Sequence, residues 1–477
     1  MDMDDVHNFG VEGCFARFKA FSSLSEYKYI KAKRATENLI RLAKTIKRRK
    51  KILQPNMVSS HALTLKLAGL SALVSVSLGN PIEHANHFDL KPFSINLSKG
   101  VPRMLELVKG TKLPDKEEYP GVGSSAGIAL DVVKNLQRQW TVDFDWRKEE
   151  AKLNKYHHYT ADIENLSIHF IHEKSHDPEA IPLLLNHGWP GSFLEFLPMI
   201  NNLTQKATTS TGKPVSFHVI VPSMPGFAFS SAPPANWTVD DTARVFNTLM
   251  TKVLGYKSFA TFGTDFGAGP AYSLYDNYNS STRAAHFVFL PFFPLTPDQL
   301  AAENITLSSR LEQTEEENFV TWTTTGNAYF NEQATKPNTI GLALQDNPIG
   351  QLAWMGEKFI AWSDPRAGTA PSVLNHHEIL LSTSLYYLTR SFTSSVYTYF
   401  QNQNAFKSVY TKAKTDAPLL FSAFQYNIVF WPQVLVAKLG NLVMYRNHEF
   451  GGHFPGLDNP PALIQDLREI GNYWDRA

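Results

Sequence analysis

Cysteine is almost missing from this 477-residue chain: there is one, Cys14, and it lies in the N-terminal region. The folded part therefore holds neither an internal disulfide nor a cysteine metal cluster. Charge of one sign is lacking too, since 45 basic residues face 44 acidic ones. That balance leaves no electrostatic footprint for nucleic acid over the whole chain. Apolar residues are plentiful. With 43% hydrophobic content, the chain can bury a core large enough for one elaborated domain or two. The 12% aromatic share suits an apolar pocket.

Residues 1–84 read differently from the rest. Positions 28–51 are dominated by Lys and Arg and end in Lys47-Arg48-Arg49-Lys50-Lys51; positions 62–78 are apolar apart from Lys66 and several Ser and Thr. A basic flank before such a run is a signal-peptide or signal-anchor pattern, which predicts a secreted or membrane-anchored protein. Two versions stay open: Met57 as the natural start with cleavage near Gly79, or a membrane anchor behind a basic cytosolic tail. Because Lys66 interrupts the run, a soluble amphipathic helix followed by a buried one is the plain alternative. Asn-X-Ser/Thr acceptors at Asn96, Asn165, Asn202, Asn236, Asn279 and Asn304 favour the secretory route and glycosylation.

Residues 85–160 carry turn signals and helical stretches such as 131–140, and no catalytic motif. From Leu166 short apolar runs alternate with helical segments, which predicts an α/β fold with a mostly parallel sheet. Strands are expected at 166–171, 181–185, 217–221, 258–262 and 286–290. The clearest helix starts at Thr238, with Asp241 three residues on, and runs through Val245, Leu249 and Val253. Over 296–415 the rhythm stops and the chain becomes helical and aromatic. An insertion of that length between strands is a lid or a second domain. Strands at 418–421 and 441–445 and a helix over 460–474 then close the fold. The expected division is thus 85–160, a core at 161–295, a lid at 296–415 and the rest of the core at 416–477.

Chemistry concentrates where the run before Gly263-Thr264-Asp265-Phe266-Gly267 ends. Small residues two places either side of a reactive one allow the sharp strand-to-helix turn that presents a nucleophile. Here the central residue is Asp265. A carboxylate attacks an sp³ carbon and leaves an ester, whereas a serine would attack an acyl carbon. After the strand at 181–185 comes Asn186-His187-Gly188-Trp189-Pro190-Gly191-Ser192, whose Trp189 amide, with that of Phe266, can face an oxyanion. Gly451-Gly452-His453-Phe454 follows the last expected strand. Nucleophile, insertion, then histidine is the order of the α/β-hydrolase arrangement, and it makes His453 the base.

Taken together, HGWPGSFLEF, PSMPGFAFS, GTDFG and GGHFPGLDNP, in this order, resemble the microsomal-type epoxide hydrolases, including the juvenile-hormone and filamentous-fungal branches. The likeness covers about residue 88 to the C-terminus. Lys91-Pro92-Phe93, Phe144-Asp145-Trp146-Arg147 and Leu153-Asn154-Lys155-Tyr156 are similar to that family's N-terminal meander. The resemblance implies an α/β-hydrolase fold with a helical lid, no cofactor and no metal, and conversion of an epoxide and water to a vicinal diol. It also places the family's two lid tyrosines. Gly326-Asn327-Ala328-Tyr329 is similar to the segment that carries the first, and Ser394-Ser395-Val396-Tyr397-Thr398-Tyr399 to the segment that carries the second. Such donors are needed, because ring opening generates an alkoxide that a phenol of pKa near 10 can protonate. Trp146 and the aromatic lid residues suit a lipophilic partner, such as a terpenoid, polyketide or fatty-acid epoxide. Whether the chain forms a homodimer is left open.

One position departs from the family. Matching Phe421-Ser422-Ala423-Phe424 puts Asn427 where the family has a carboxylate bound to the histidine. Asparagine can orient an imidazole but not offset its charge. Selecting the wrong tautomer cost about four orders of magnitude in a serine protease. Three outcomes stay open: Asn427 is tolerated; Asp298, or less aptly Glu449, supplies the acid; or ester hydrolysis is impaired, leaving a trap, a non-hydrolytic binding protein or an internal cyclase. In the last case Asn427→Asp is expected to speed ester release. A haloalkane dehalogenase would need halide-binding groups in place of the tyrosine pair, and an esterase would need serine at 265.

Overall fold

A computed structural model describes residues 88–307 and 309–474, within the unit Ile82–Ala477. The basic and apolar leader, with Cys14, Met57 and the expected anchor, lies outside the described residues.

Nine strands form the main sheet: β1 (Lys91–Phe93), β2 (His158–Ile163), β3 (Leu166–Glu173), β4 (Ile181–Asn186), β5 (Phe217–Pro222), β6 (Phe259–Gly263), β7 (Thr282–Phe287), β8 (Pro418–Tyr426) and β9 (Asn441–Gly452). Their order is β1-β2-β3-β5-β4-β6-β7-β8-β9. Strands β5, β4, β6, β7, β8 and β9 run parallel, while β1, β2 and β3 pair antiparallel at one edge. Both faces of the parallel part are covered. Leu183, Leu185, Phe217, Val219 and Val221 enter one core cluster, and Leu184, Ile220 and Ala285 the other. That two-sided burial is why these strands read as unbroken apolar runs rather than as alternation.

Local signals account for several element ends. The helix Val239–Thr248 starts with a full capping box: Asp241 N–H donates to Thr238 Oγ1, and Thr238 N–H donates back to Asp241 Oδ2 at 2.8 Å. Such a cap stabilises a helix by about 1 kcal/mol. The closing helix expected over 460–474 is two pieces, Pro460–Arg468 and Ile470–Tyr473. Between them the Glu469 carboxylate accepts from Ser210 N–H and Oγ, which ties the junction to a distant loop.

Two strand expectations need correction. The seventh strand is Thr282–Phe287, not 286–290. Its first half is Thr, Arg and Ala, small or polar residues that fit beside β6 and carry no apolar signature. Val288, Phe289 and Leu290 are buried after the ladder ends, so they imitate a strand. Strand β2 escaped notice, and the expected boundary at 160 cuts through it.

Between β7 and β8 the chain makes a helical insertion that includes Arg310–Thr321, Ala328–Thr335, Pro348–Ala361, His376–Thr389 and Phe392–Gln401. Ser394 Oγ donates to Gly226 O at 2.6 Å and Tyr386 Oη to Gly191 O at 2.7 Å, which seats the insertion over loops at the carboxyl ends of β5 and β4. In open α/β sheets that is where ligands bind.

Candidate active site

Asp265 follows β6 with φ of +46°, a conformation that non-glycine residues rarely adopt. It opens the short turn Asp265–Gly267 before the helix Ala268–Asn277. Strain of this kind is tolerated where the surroundings hold it. Here the glycines make room: a Cβ on Gly267 would strike the carbonyl oxygens of Asn186 and His187, and one on Gly188 would overlap Asp265 itself. The carboxylate is thus pressed against the loop after β4. Its Oδ1 accepts from Trp189 N–H at 2.8 Å, and its Oδ2 lies 3.4 Å from His453 Nε2. The Phe266 amide is in the same short turn, at the start of the helical stretch, where N–H groups lack intrahelical partners.

His453 is buried and walled by ring edges, with Trp362 at 5.0 Å and Phe289 at 5.7 Å. Its backbone N–H donates to Trp362 O at 2.7 Å, joining the histidine loop to the insertion. Nδ1 meets Asn427 Oδ1 at 2.9 Å. The amide cannot be turned the other way. Asn427 Nδ2 donates to Val288 O at 3.1 Å, and Oδ1 accepts from Ile428 N–H at 2.8 Å. A carbonyl only accepts and an amide N–H only donates, so Oδ1 must face the imidazole. The imidazole then carries its proton on Nδ1 and turns the Nε2 lone pair toward Asp265. The wrong-tautomer outcome is removed by two backbone groups.

Neither candidate replacement acid reaches the histidine. Asp298 is exposed in the first turn of the helix Pro297–Ala302, and Glu449 is exposed on β9, where its backbone carbonyl accepts from Arg366. Trp146 is also elsewhere. It begins the helix Trp146–Leu153, is buried in the same core cluster as Ile95 and Leu153, and donates from Nε1 to Glu150 at 3.1 Å. Its aromatic bulk serves packing in the N-terminal segment.

Tyr329 and Tyr399 come together over Trp189. The Tyr329 ring stacks on the indole at 5.4 Å, Tyr399 meets it edge-on at 5.8 Å, and the two phenol rings are 5.9 Å apart. Burial, then the charge of Asp265, holds the Tyr329 phenol well above its ordinary pKa. Tyr399 is raised by burial first, then by Tyr329 and Asp265. Two protonated phenols therefore stand near a carboxylate under an aromatic roof.

Three further residues hold this site. Tyr386 secures Gly191, as noted. His187, whose pKa burial lowers to about 4, is neutral: its Nε2 accepts from Met224 N–H at 3.1 Å and its Nδ1–H donates to Gly188 O at 3.0 Å. Glu195 is buried close by with an unpartnered Oε1. Its one sequence signal is a carboxylate inside the run Phe193-Leu194-Glu195-Phe196.

Comparison with known proteins gives the family. The family described as epoxide hydrolase N terminus matches residues 90–196, and that described as alpha/beta hydrolase fold matches 181–295. Epoxide hydrolase 1 of Sus scrofa is 32% identical over 376 residues, 72% of this chain and 80% of that protein. The structure of Aspergillus niger epoxide hydrolase is 32% identical and superposes with a TM-score of 0.69 over 80% of this chain and 96% of that one. Juvenile hormone epoxide hydrolase from the silkworm Bombyx mori is 25% identical, with a TM-score of 0.71 over 81% of this chain and 95% of that one. The chain belongs to the epoxide hydrolases, enzymes of the α/β-hydrolase fold that act on the ether bond of an epoxide.

Proposed function

We propose that this enzyme opens a lipophilic epoxide through an ester on Asp265 and releases a vicinal diol. The observation that carries this reading is the Asp265 carboxylate, held by Trp189 N–H, with His453 Nε2 at 3.4 Å. In the first step a carboxylate oxygen of Asp265 attacks a ring carbon, the ring C–O bond breaks, and Tyr329 or Tyr399 gives its proton to the leaving oxygen. Next, His453 Nε2 takes a proton from water as the water oxygen bonds to the ester carbon. The oxyanion is met by the Trp189 and Phe266 amides. Collapse breaks the bond to the alkyl oxygen, which takes the proton from the imidazolium; the carboxylic acid left on Asp265 then gives up its proton, and the tyrosinate takes one up, which restores carboxylate and phenol. Aromatic rings of Trp189, Tyr329, Phe330 and Trp362 around the site favour an apolar substrate over a charged one.

Asn427 motivates a second reading, in which ester hydrolysis is so slow that the protein traps or rearranges epoxides. Its favourable tautomer speaks for turnover. Mixing enzyme in excess with styrene oxide and quenching over time separates the two: ester followed by diol supports the hydrolase, persistent ester supports the second reading, and no adduct on Asp265 counts against both.

The leader is proposed to send the chain along the secretory route. The six acceptor asparagines are all exposed, which leaves them open to glycosylation. The intact mass of the protein from its native host tests this; an uncleaved, unmodified chain would contradict it.

A further inference from the structure

Glu195 takes no part in the steps above, yet it is 2% exposed and its Oε1 has no hydrogen-bond partner. A carboxyl oxygen that is buried without a protein partner is costly, and such a group calls for a water or a ligand atom. Its surroundings narrow the choice. Glu195 lies in the turn Phe193–Phe196 directly after the Trp189 loop. A Cβ on Gly191 would come within 3.0 Å of Glu195 Oε2, which puts the carboxyl against that loop. Gly456, three residues beyond His453, packs on the Glu195 carbonyl oxygen and Cγ, 2.5 and 3.2 Å from where its Cβ would be. Glu195 is therefore held between the loop that carries Trp189 and the loop that carries His453, with its carboxyl against the first.

His453 Nε2 is likewise buried without a hydrogen-bond partner. A water that attacks the Asp265 ester presents one O–H to that nitrogen and needs an acceptor for its second hydrogen. We propose that Glu195 is the residue that holds this water, its carboxyl oxygen accepting the hydrogen that His453 does not take; the assignment rests on the ester mechanism proposed above. Burial, reinforced by the nearby charge of Asp265, raises its pKa well above the ordinary range. Glu195 serves as an acceptor, not as the base, which is His453. Proton balance is unchanged: His453 still takes the proton from water and returns it to the departing alcohol.

The test compares Glu195→Met and Glu195→Gln with the parent enzyme in rapid-quench single turnovers with styrene oxide, following the Asp265 ester by peptide mass. Glu195→Met removes the acceptor but keeps the length, so ester forms normally and decays about 10-fold or more slowly, the equivalent of one lost hydrogen bond. Glu195→Gln keeps a neutral acceptor and restores most of that rate. Because Met fills the same space and leaves no buried polar group to pair, Tm of the Met variant stays level. A purely structural residue would give the reverse: lower Tm and both steps slowed together. Unchanged ester decay in Glu195→Met overturns the water-holding role alone, while failure of the parent enzyme to form any ester overturns the mechanism beneath it.

Discussion

Asn427 Oδ1 accepts from His453 Nδ1 at 2.9 Å while its Nδ2 donates to Val288 O at 3.1 Å. The second contact changes what a carboxylate would do there. Asn427→Asp adds a charge to offset the imidazolium but sets an oxygen against the Val288 carbonyl. Charge-assisted hydrogen bonds are roughly twice as strong as neutral ones, so ester hydrolysis is expected to quicken by about 10-fold. Losing the Val288 contact lowers stability by about 1–3 kcal/mol. Rapid-quench kinetics and thermal melts on one sample check both signs. Faster hydrolysis with unchanged Tm would show that Val288 does not depend on the amide.

The tyrosine pair gives a pH prediction. Both phenols are raised above the ordinary value of 10.0, and the protonated form is the active one. Ring opening therefore keeps its proton donors to beyond about pH 9, and no alkaline decline comes from them below it. Tyr329→Phe and Tyr399→Phe are each expected to slow ester formation by about 10-fold or more, and the double variant by about 10²–10⁴-fold. Ester decay should hold its rate in the single variants. A variant that slows only the second step would remove that tyrosine from the acid role.

Stability should carry its own pH signature from the insertion. On the helix Arg310–Thr321, burial raises Glu315 to about 8, with Glu312 adding to the shift, and burial raises Glu316 to about 7. Their folded values exceed the unfolded one near 4.5, so the native state binds more protons across that interval. Stability from these groups is full below about pH 4.5 and is lost as pH rises toward 8. The double variant Glu315→Gln, Glu316→Gln should flatten the fall in Tm between those limits. Equal slopes in the two proteins would refute this origin.

How much was legible follows from what each residue answers to. The turn around Asp265 was readable because it needs glycine at close approaches, at Gly188 and Gly267, and such demands are local. Tyr329 and Tyr399 were placed through motif register, since nothing in an isolated tyrosine says whether it packs or points at a carboxylate. Trp146 failed that test: bulk and aromaticity suit a core as well as a pocket, and Glu150 fixes which. The shift of β7 arose because burial under the insertion made Val288 to Leu290 resemble a strand. The tautomer at His453 lay beyond sequence altogether, since it depends on Val288 O and Ile428 N–H, backbone groups that every residue possesses.

The most direct test of the account is a single turnover in H₂¹⁸O with enzyme in excess over styrene oxide. If Asp265 attacks first, the label enters the Asp265 carboxylate and the diol leaves with unlabelled oxygen. Label found in the diol, with none on the Asp265 peptide, would mean that water attacks the epoxide directly and would contradict the central claim.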